Sequence, residues 1–422
     1  MMKQDRASWS LFMLTLICCV YFMDRAALNT VGEAVKKDLG LSDFELGIAG
    51  GLAFSVVNAL ASIPLARFAE RFNRVRIIAA AAILWSLFTA LCGFVQSFIH
   101  LLAARFLVGV AEAGAPAPSQ SLIADLFPPE RRARALAIYG SGVPLGIILG
   151  AATSGWIIEN LNWRIAFFVF GIPGILLGLV LVMTVREPER NRWDAIPPGA
   201  SLSLVSVIQE LLRQRVYRHL LIGGVALYFV LGGLLQFMHP YILRRFEVGY
   251  SDAALIFGVV IGVSTFIGMW SGGFLASFLQ PDRQLLIPAL AGAVAAVTLV
   301  LGLSESHMYG SLAWLFLCHA CANAYFGPLF AQVGALAPGG ARATSVAFSA
   351  LVMNIIGFAF GPLFVGFLSE YFSAGCSGGT VLKDFGCGSE AYGLRLALIF
   401  LSPFLLWSSF HFWRSATSGK LK

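Results

Sequence analysis

Twelve apolar stretches, each long enough to cross a bilayer and separated by short polar breaks, dominate this chain. A bilayer core of about 30 Å is crossed by roughly 20 helical residues, and only helices and closed barrels satisfy their own backbone hydrogen bonds in lipid. The stretches lie at approximately 9–32, 44–66, 76–97, 99–122, 134–158, 163–186, 219–243, 252–277, 285–304, 309–332, 343–367 and 392–415. None shows the alternating pattern of a barrel strand. Composition agrees, since 58% of residues are hydrophobic and only 12% charged. A soluble domain needs roughly a quarter of its residues charged to cover its surface. The expected fold is all-α and polytopic. The first stretch is too long, and too polar at its end, for a cleaved signal, so it is expected to stay in the membrane.

A net charge of +7 is compatible with nucleic-acid binding, but its placement points elsewhere. With a cytoplasmic N-terminus, 20 of the 29 Lys and Arg residues fall in cytoplasmic segments and 7 on the opposite side, while Arg25 and Arg105 lie within the membrane. That asymmetry is the positive-inside rule. It predicts both termini in the cytoplasm and no nucleic-acid partner. Among the seven cysteines, Cys376 and Cys387 flank "SGGTVLKDFG" in an expected external loop, an oxidising side that permits a disulfide between them. Cys318 and Cys321 form a CxxC on a membrane helix without His or acidic companions, so no metal site is read there. No cofactor is expected.

The longest break follows the sixth stretch. Residues 187–218 combine a Pro-rich linker with an amphipathic stretch around 201–213, expected to lie on the cytoplasmic face. This divides the chain into a six-helix bundle at 1–186, the linker at 187–218 and a second bundle at 219–422. A shift of 211 residues carries Gly146, Gly150 and Gly155 onto Gly357, Gly361 and Gly366, and Arg131 onto Arg342. Small residues in register let helix backbones approach closely, which suits two halves that rock against each other; ordinary tight packing is the plainer reading.

Between the second and third stretches runs "ARFAERFNRVR", 66–76. It resembles the loop signature of the major facilitator superfamily, Gly-x-x-x-Asp-Arg-x-Gly-Arg-Arg. Ala66 and Asn73 replace glycines, Glu70 replaces the acid, Arg71 and Arg74 match, and Val75 breaks the basic pair. Glu70, Arg71 and Arg74 are the expected conformational latch, an acid pairing with arginines and helix ends on the cytoplasmic side. Plain charge anchoring is the alternative for Arg74 and Arg76. Twelve spans, a split repeat and this loop together imply two pseudo-symmetric six-helix bundles.

Charges inside the membrane are costly and mark functional positions. "YFMDRAALNT", 21–30, holds Asp24 and Arg25, and "LLAARFLVGVAEAGAPAPSQS" holds Arg105 and Glu112. Counted from the outer ends of their spans, Asp24 and Arg105 both sit about 10 Å deep, so they are expected to pair. Glu112 is two turns from Arg105 on the same face and has no evident base on its own helix. A desolvated carboxyl group can hold a proton near neutral pH, as a proton-coupled carrier requires. Asp24, Glu112 and Arg105 are therefore the expected proton-coupling residues; a permanent Asp24–Arg105 strut is the alternative. Pro116 and Pro118 are expected to interrupt the helix just beyond Glu112. Arg25 either faces a substrate headgroup, the preferred reading, or pairs with a neighbouring acid. The 211-residue shift places Glu112 on Asn323, and Gln236 lies one residue from the image of Asp24, so the second half has lost its charges. Its candidate cavity residues are Gln236, His239, His319, Asn323 and Asn354, with Gln236, His319 and Asn323 joining Arg25 and Arg105 as expected substrate-binding residues.

The segments "YFMDRAALNT", "LSDFELGIAGGLAF", "IPLARFAERFNR", "ARFLVGVAEAGAPAPSQSLIADLFPPERRARALAIYGSGVPLGIILG" and "NWRIAFFVFGIPG" resemble the spinster family of that superfamily, in a compact bacterial form. The resemblance covers most of the first half. It implies alternating-access transport of amphiphilic lipids such as lysophospholipids or sphingosine phosphates. It also implies proton coupling through the acid of the "MDR" motif and the Arg and Glu of the fourth span, here Asp24, Arg105 and Glu112. The expected protein is a monomeric proton-coupled transporter of an amphiphilic anion in a bacterial inner membrane. A symporter of sugar acids or other small organic anions is the alternative within transport, and a non-transporting receptor or scaffold the alternative outside it. No nucleophile–base or metal constellation suggests an enzyme.

Overall fold

The computed structural model of the chain describes residues 2–190, 203–338, 341–374 and 389–418. Among the described residues, twelve helices are long and apolar enough to cross a membrane: spans 1 to 6 are Ala7–Leu39, Asp43–Arg71, Arg74–Cys92, Phe98–Leu126, Arg134–Asn160 and Trp163–Thr184. Spans 7 to 12 are Arg215–Phe246, Tyr250–Ala276, Leu286–Ser304, Met308–Leu336, Thr344–Ala374 and Glu390–Thr417. No strand occurs among the described residues. An amphipathic helix, Leu204–Arg213, precedes span 7 and buries Val207 and Leu211. Cys376 and Cys387 lie outside the described residues, as does the 191–202 part of the linker.

Side-chain caps start several spans sharply. Ser42 and Glu45 form a capping box on span 2, and Asn73, Ser97, Asn162 and Ser389 each accept a first-turn N–H. Span 1 ends at Gly40 with φ +66, and span 7 ends with Glu247 at φ 51. Glycine takes that left-handed geometry freely; the glutamate takes it at a cost of about 1–2 kcal/mol.

Two compact units emerge. The first comprises Met1–Leu41, Ala53–Pro198 and Val248–Gly258, the second Ser42–Leu52, Gly199–Glu247 and Val259–Lys422. They therefore differ from a strict 1–186 and 219–422 division by exchanging the opening turns of spans 2 and 8. In the first unit, Glu159 of span 5 accepts the Ser251 N–H at 2.9 Å. In the second, Glu370 of span 11 accepts the Phe44 N–H at 2.7 Å. Each acid, 211 residues from the other, caps the positive end of an exchanged helix. Arg244 adds a two-pronged pair with Asp43, at 2.8 and 2.7 Å.

Apolar surfaces gain nothing from leaving water inside a bilayer, so helices associate through packing and hydrogen bonds. The glycine register does this work. A methyl on Gly150 would stand 2.5 Å from the Met23 carbonyl oxygen, and one on Gly357 2.5 Å from that of Val225. Gly146 likewise faces Cys19, and Gly361 faces Phe229. Spans 5 and 11 are thus related by 211 residues, whereas their partners in spans 1 and 7 are offset by 206, from Cys19 to Val225 and from Met23 to Phe229. The image of Asp24 is then Val230, and Gln236 answers to Thr30, not to Asp24. The loops absorb the five-residue difference, which a constant shift cannot see.

Spans 4 and 10 are each broken. Phe98–Glu112 stops and the helix restarts as Pro116–Leu126; Met308–Asn323 stops and restarts as Phe326–Leu336. Glu112 ends its segment as the two prolines predict, and Asn323, its image under the shift, ends the corresponding segment of span 10, a break that was not expected. Wider, π-helical turns interrupt span 2 at Ile48–Leu52 and span 8 at Gly258–Val263, a feature frequent near functional sites.

Candidate functional site

Spans 1 to 4 bring four charges together inside the first unit, but not in the expected pairing. Arg25 Nε donates to Glu112 Oε2 at 3.1 Å, with the Glu112 side chain fully buried and that of Arg25 23% exposed. The missing base for Glu112 comes from span 1. Of the two readings for Arg25, a neighbouring acid is the one realised. Asp24 and Arg105 are both buried, yet no ion pair joins them. Instead the Thr89 hydroxyl donates to Asp24 Oδ2 at 2.6 Å. Span 1 runs on to Leu39, past the expected end at residue 32, so Asp24 lies farther from that helix end than the depth count expects. Asp24 lies level with Thr89, three residues from the end of span 3.

The centre of the cluster is a ring. Phe54 lies 4.5 Å from the Arg25 guanidinium carbon and 4.7 Å from that of Arg105. Arg25 also stands over Tyr21 at 4.7 Å. An aromatic face attracts a cation by about 0.5–2 kcal/mol, more when desolvated, so these rings hold two arginines without neutralising them. Span 4 reaches Phe54 through Gly109, where a methyl would stand 2.9 Å from the Phe54 carbonyl oxygen. The Asn58 amide fastens the same contact by donating to the Gly109 carbonyl at 3.1 Å. Phe54, Asn58 and Thr89 were not expected. Phe54 is one of 35 phenylalanines, and nothing in its local sequence marks it.

Three atoms of the cluster are buried without a hydrogen-bond partner among the described residues: Asp24 Oδ1, Arg105 Nε and Glu112 Oε1. Such atoms ordinarily cost about 1–3 kcal/mol each. A proton on a carboxyl oxygen and an anion at Arg105 are the partners their chemistry accepts.

The second unit answers with neutral groups. His319 Nδ1 shares a hydrogen bond with the Ser264 hydroxyl at 2.8 Å, and the Asn323 amide donates to the His319 carbonyl at 2.8 Å. Thr265 lies beside them at 3.5 Å. By the 211-residue shift, Asn323 stands where Glu112 does and Thr265 where Phe54 does. Gln236 is buried with Nε2 unpartnered, and its amide packs against Gly50. The Asn354 amide bonds within its own helix, to the Ala350 carbonyl at 2.8 Å, and His239 is fully buried.

At the opposite ends of the first-unit spans, Arg74 of the expected latch is held by two acids, neither of which is Glu70. Arg74 Nε pairs with Glu187 at 2.6 Å, and its Nη1 pairs with Asp125 at 2.6 Å and meets the Ser121 hydroxyl at 2.9 Å. Arg74 is buried, so mere charge anchoring does not describe it. Glu70 and Arg71 are exposed on the last turn of span 2, and neither pairs with Arg74. The Glu70 main-chain carbonyl, with those of Ala69 and Phe72, instead accepts from Arg190, which caps that helix end.

Residues 14–362 match the Major Facilitator Superfamily profile. An MFS-type efflux pump of Mycolicibacterium smegmatis is 27% identical over 371 residues, 86% of this chain and 85% of that protein. The "Probable galactarate/D-glucarate transporter GudP" of Bacillus subtilis is 33% identical over 196 residues, 45% of this chain and 43% of that one. Among solved structures, a bacterial homologue of the human lysosomal transporter Spinster, inward-facing and unoccupied, matches with a TM-score of 0.86 at 27% identity, covering 97% of each chain.

Proposed function

The chain belongs to the major facilitator superfamily, and from that premise we propose a proton-coupled secondary transporter of an amphiphilic, lipid-like anion working by alternating access. The observation that carries the reading is the buried quartet of Asp24, Arg25, Arg105 and Glu112 around Phe54. Two guanidinium groups face two carboxyl groups, so the fully ionised cluster is neutral. An anion entering it adds a charge that a low-dielectric site tolerates poorly. A proton arriving on a carboxyl restores neutrality, and that is the coupling. Asp24, held by a hydroxyl and not by a cation, carries the proton. Glu112 holds Arg25 while no solute is bound, and the solute's phosphate or carboxylate takes Arg25 and Arg105 in its place. In another state of the cycle Arg105 moves onto ionised Asp24. The Spinster likeness supports a lipid-like solute. The protein is proposed to sit in a bacterial inner membrane with both termini cytoplasmic.

A sugar acid is the second reading, favoured by the likeness to GudP, which reaches 33% over 196 residues. Proteoliposomes test the coupling. Asp24→Asn is expected to abolish accumulation driven by a pH gradient while sparing energy-independent exchange; normal accumulation by that variant would rule the assignment out. Thermal shifts of the purified protein with lysolipids against sugar acids, at two pH values, distinguish the solute classes.

A further inference from the structure

Where span 7 begins and span 12 ends, two histidines meet in the second unit. His219 Nδ1 and His411 Nδ1 are 2.9 Å apart, with ring centroids 5.0 Å apart. That contact requires one ring to donate an N–H to the lone pair of the other. Arg215, Arg218 and Arg414 are the charged neighbours of His219, and no carboxylate acts on either ring. Arg215 lies one turn before His219, and Arg414 nearly one turn after His411, so the two helices present one basic face. None of the three arginines forms an ion pair among the described residues. On the preceding helix Glu210 lies 3.8 Å from Arg213 and does not act on either histidine. Span 9, packed on span 12, carries no titratable side chain.

Beside this face span 12 exposes Trp407, Phe410 and Trp413, and Trp407 lies 5.7 Å from His411. Helix Leu204–Arg213 exposes Leu204, Val205 and Leu212. Exposed tryptophans and an amphipathic helix mark the headgroup level of a bilayer. Uncompensated arginines at that level attract an anion, and the anionic headgroups of the adjoining leaflet are the anions concentrated there.

We propose that Arg215, Arg218 and Arg414, grouped around the His219–His411 pair, bind the phosphate of an anionic phospholipid from the leaflet that the positive-inside count assigns to the cytoplasm. The arginines hold the phosphate, the exposed tryptophans flank its acyl chains, and the histidine pair makes binding pH-dependent. An added proton on the pair meets three positive neighbours unless the phosphate is present. Lipid binding and proton binding therefore favour each other. The site is separate from the transport quartet and does not depend on the transport reading.

The test uses the full chain purified in neutral detergent, titrated with phosphatidylglycerol, phosphatidylcholine or inorganic phosphate while the thermal midpoint is followed. Phosphatidylglycerol alone is expected to raise the midpoint, and the rise is expected to be larger at about pH 5.5 than at about pH 7.5, on either side of the usual histidine range. The triple variant Arg215→Gln, Arg218→Gln, Arg414→Gln should lose at least half of the rise, and His219→Gln should lose its pH dependence. If the triple variant does not fold, native mass spectrometry of Arg414→Gln should show fewer retained phosphatidylglycerol molecules than the parent. An equal rise with phosphatidylcholine or inorganic phosphate, or an undiminished rise in the arginine variants, overturns the proposal.

Discussion

Replacing Arg25 by glutamine gives the sharpest check on how the buried quartet is wired. Glu112 has no exposure, its Oε2 depends on Arg25 at 3.1 Å, and its Oε1 has no hydrogen-bond partner among the described residues. Removing Arg25 therefore strands a carboxylate, and breaking a buried pair in this way costs about 3–5 kcal/mol. Removing Glu112 instead leaves Arg25 on the faces of Tyr21 and Phe54, at 4.7 and 4.5 Å, and 23% exposed. That loss is expected to be smaller, about 1–3 kcal/mol. The double variant Arg25→Gln, Glu112→Gln removes both charges and keeps two hydrogen-bonding amides, so it should be more stable than Arg25→Gln alone, with a coupling of at least about 1 kcal/mol. The stranded carboxylate is tolerable only once protonated. The sign with pH follows: the deficit of Arg25→Gln is full above the carboxylate range and shrinks on acidification, while the double variant shows no such recovery. Thermal midpoints at one scan rate, in one detergent, across pH are sufficient, because the ordering is the result and not an absolute free energy. A double variant no more stable than Arg25→Gln, or a deficit indifferent to pH, refutes the wiring.

Other outcomes follow from neighbouring contacts. Arg74→Gln should destabilise by about 3–5 kcal/mol, since Asp125 and Glu187 lose their shared cation. Glu70→Gln and Arg71→Gln should stay within about 0.5 kcal/mol, and equal midpoints for all three variants would restore Glu70 to the latch. Phe54→Leu removes the ring under two guanidinium groups; it should weaken anion binding several-fold in a ligand titration while leaving a folded, monodisperse protein. Gly150→Ala and Gly361→Ala drive a methyl into the backbones of Met23 and Phe229 and should each cost about 1–3 kcal/mol, read as a lowered midpoint. Midpoints like the parent's would show that spans 1 and 5, or 7 and 11, are not in such close contact.

The loop between spans 2 and 3 shows where a pattern misleads. Its basic residue Arg74 was identifiable from the spacing, but the acids that hold it come from Asp125 and Glu187, 51 and 113 residues away. Glu70 filled the acidic slot of the pattern, but it is exposed in the last turn of a helix that ends at Arg71. The glycine repeat of spans 5 and 11 was legible, since spacing within one helix is a property of sequence. The partner register, 206 residues and not 211, was not, because loop lengths decide which residue of a neighbouring helix arrives opposite.

By itself the sequence determined the medium, the number of spans, the break after Glu112, and the four costly charges of the first half. All of these follow from local chemistry: apolar length, proline, and the penalty for ions in hydrocarbon. Tertiary structure alone decided that Arg25 takes Glu112, that Thr89 takes Asp24, and that Phe54 lies against both arginines. An ion pair between helices depends on how each is rotated and how closely it packs. Those are set by side-chain volumes along whole interfaces, and no short motif encodes them.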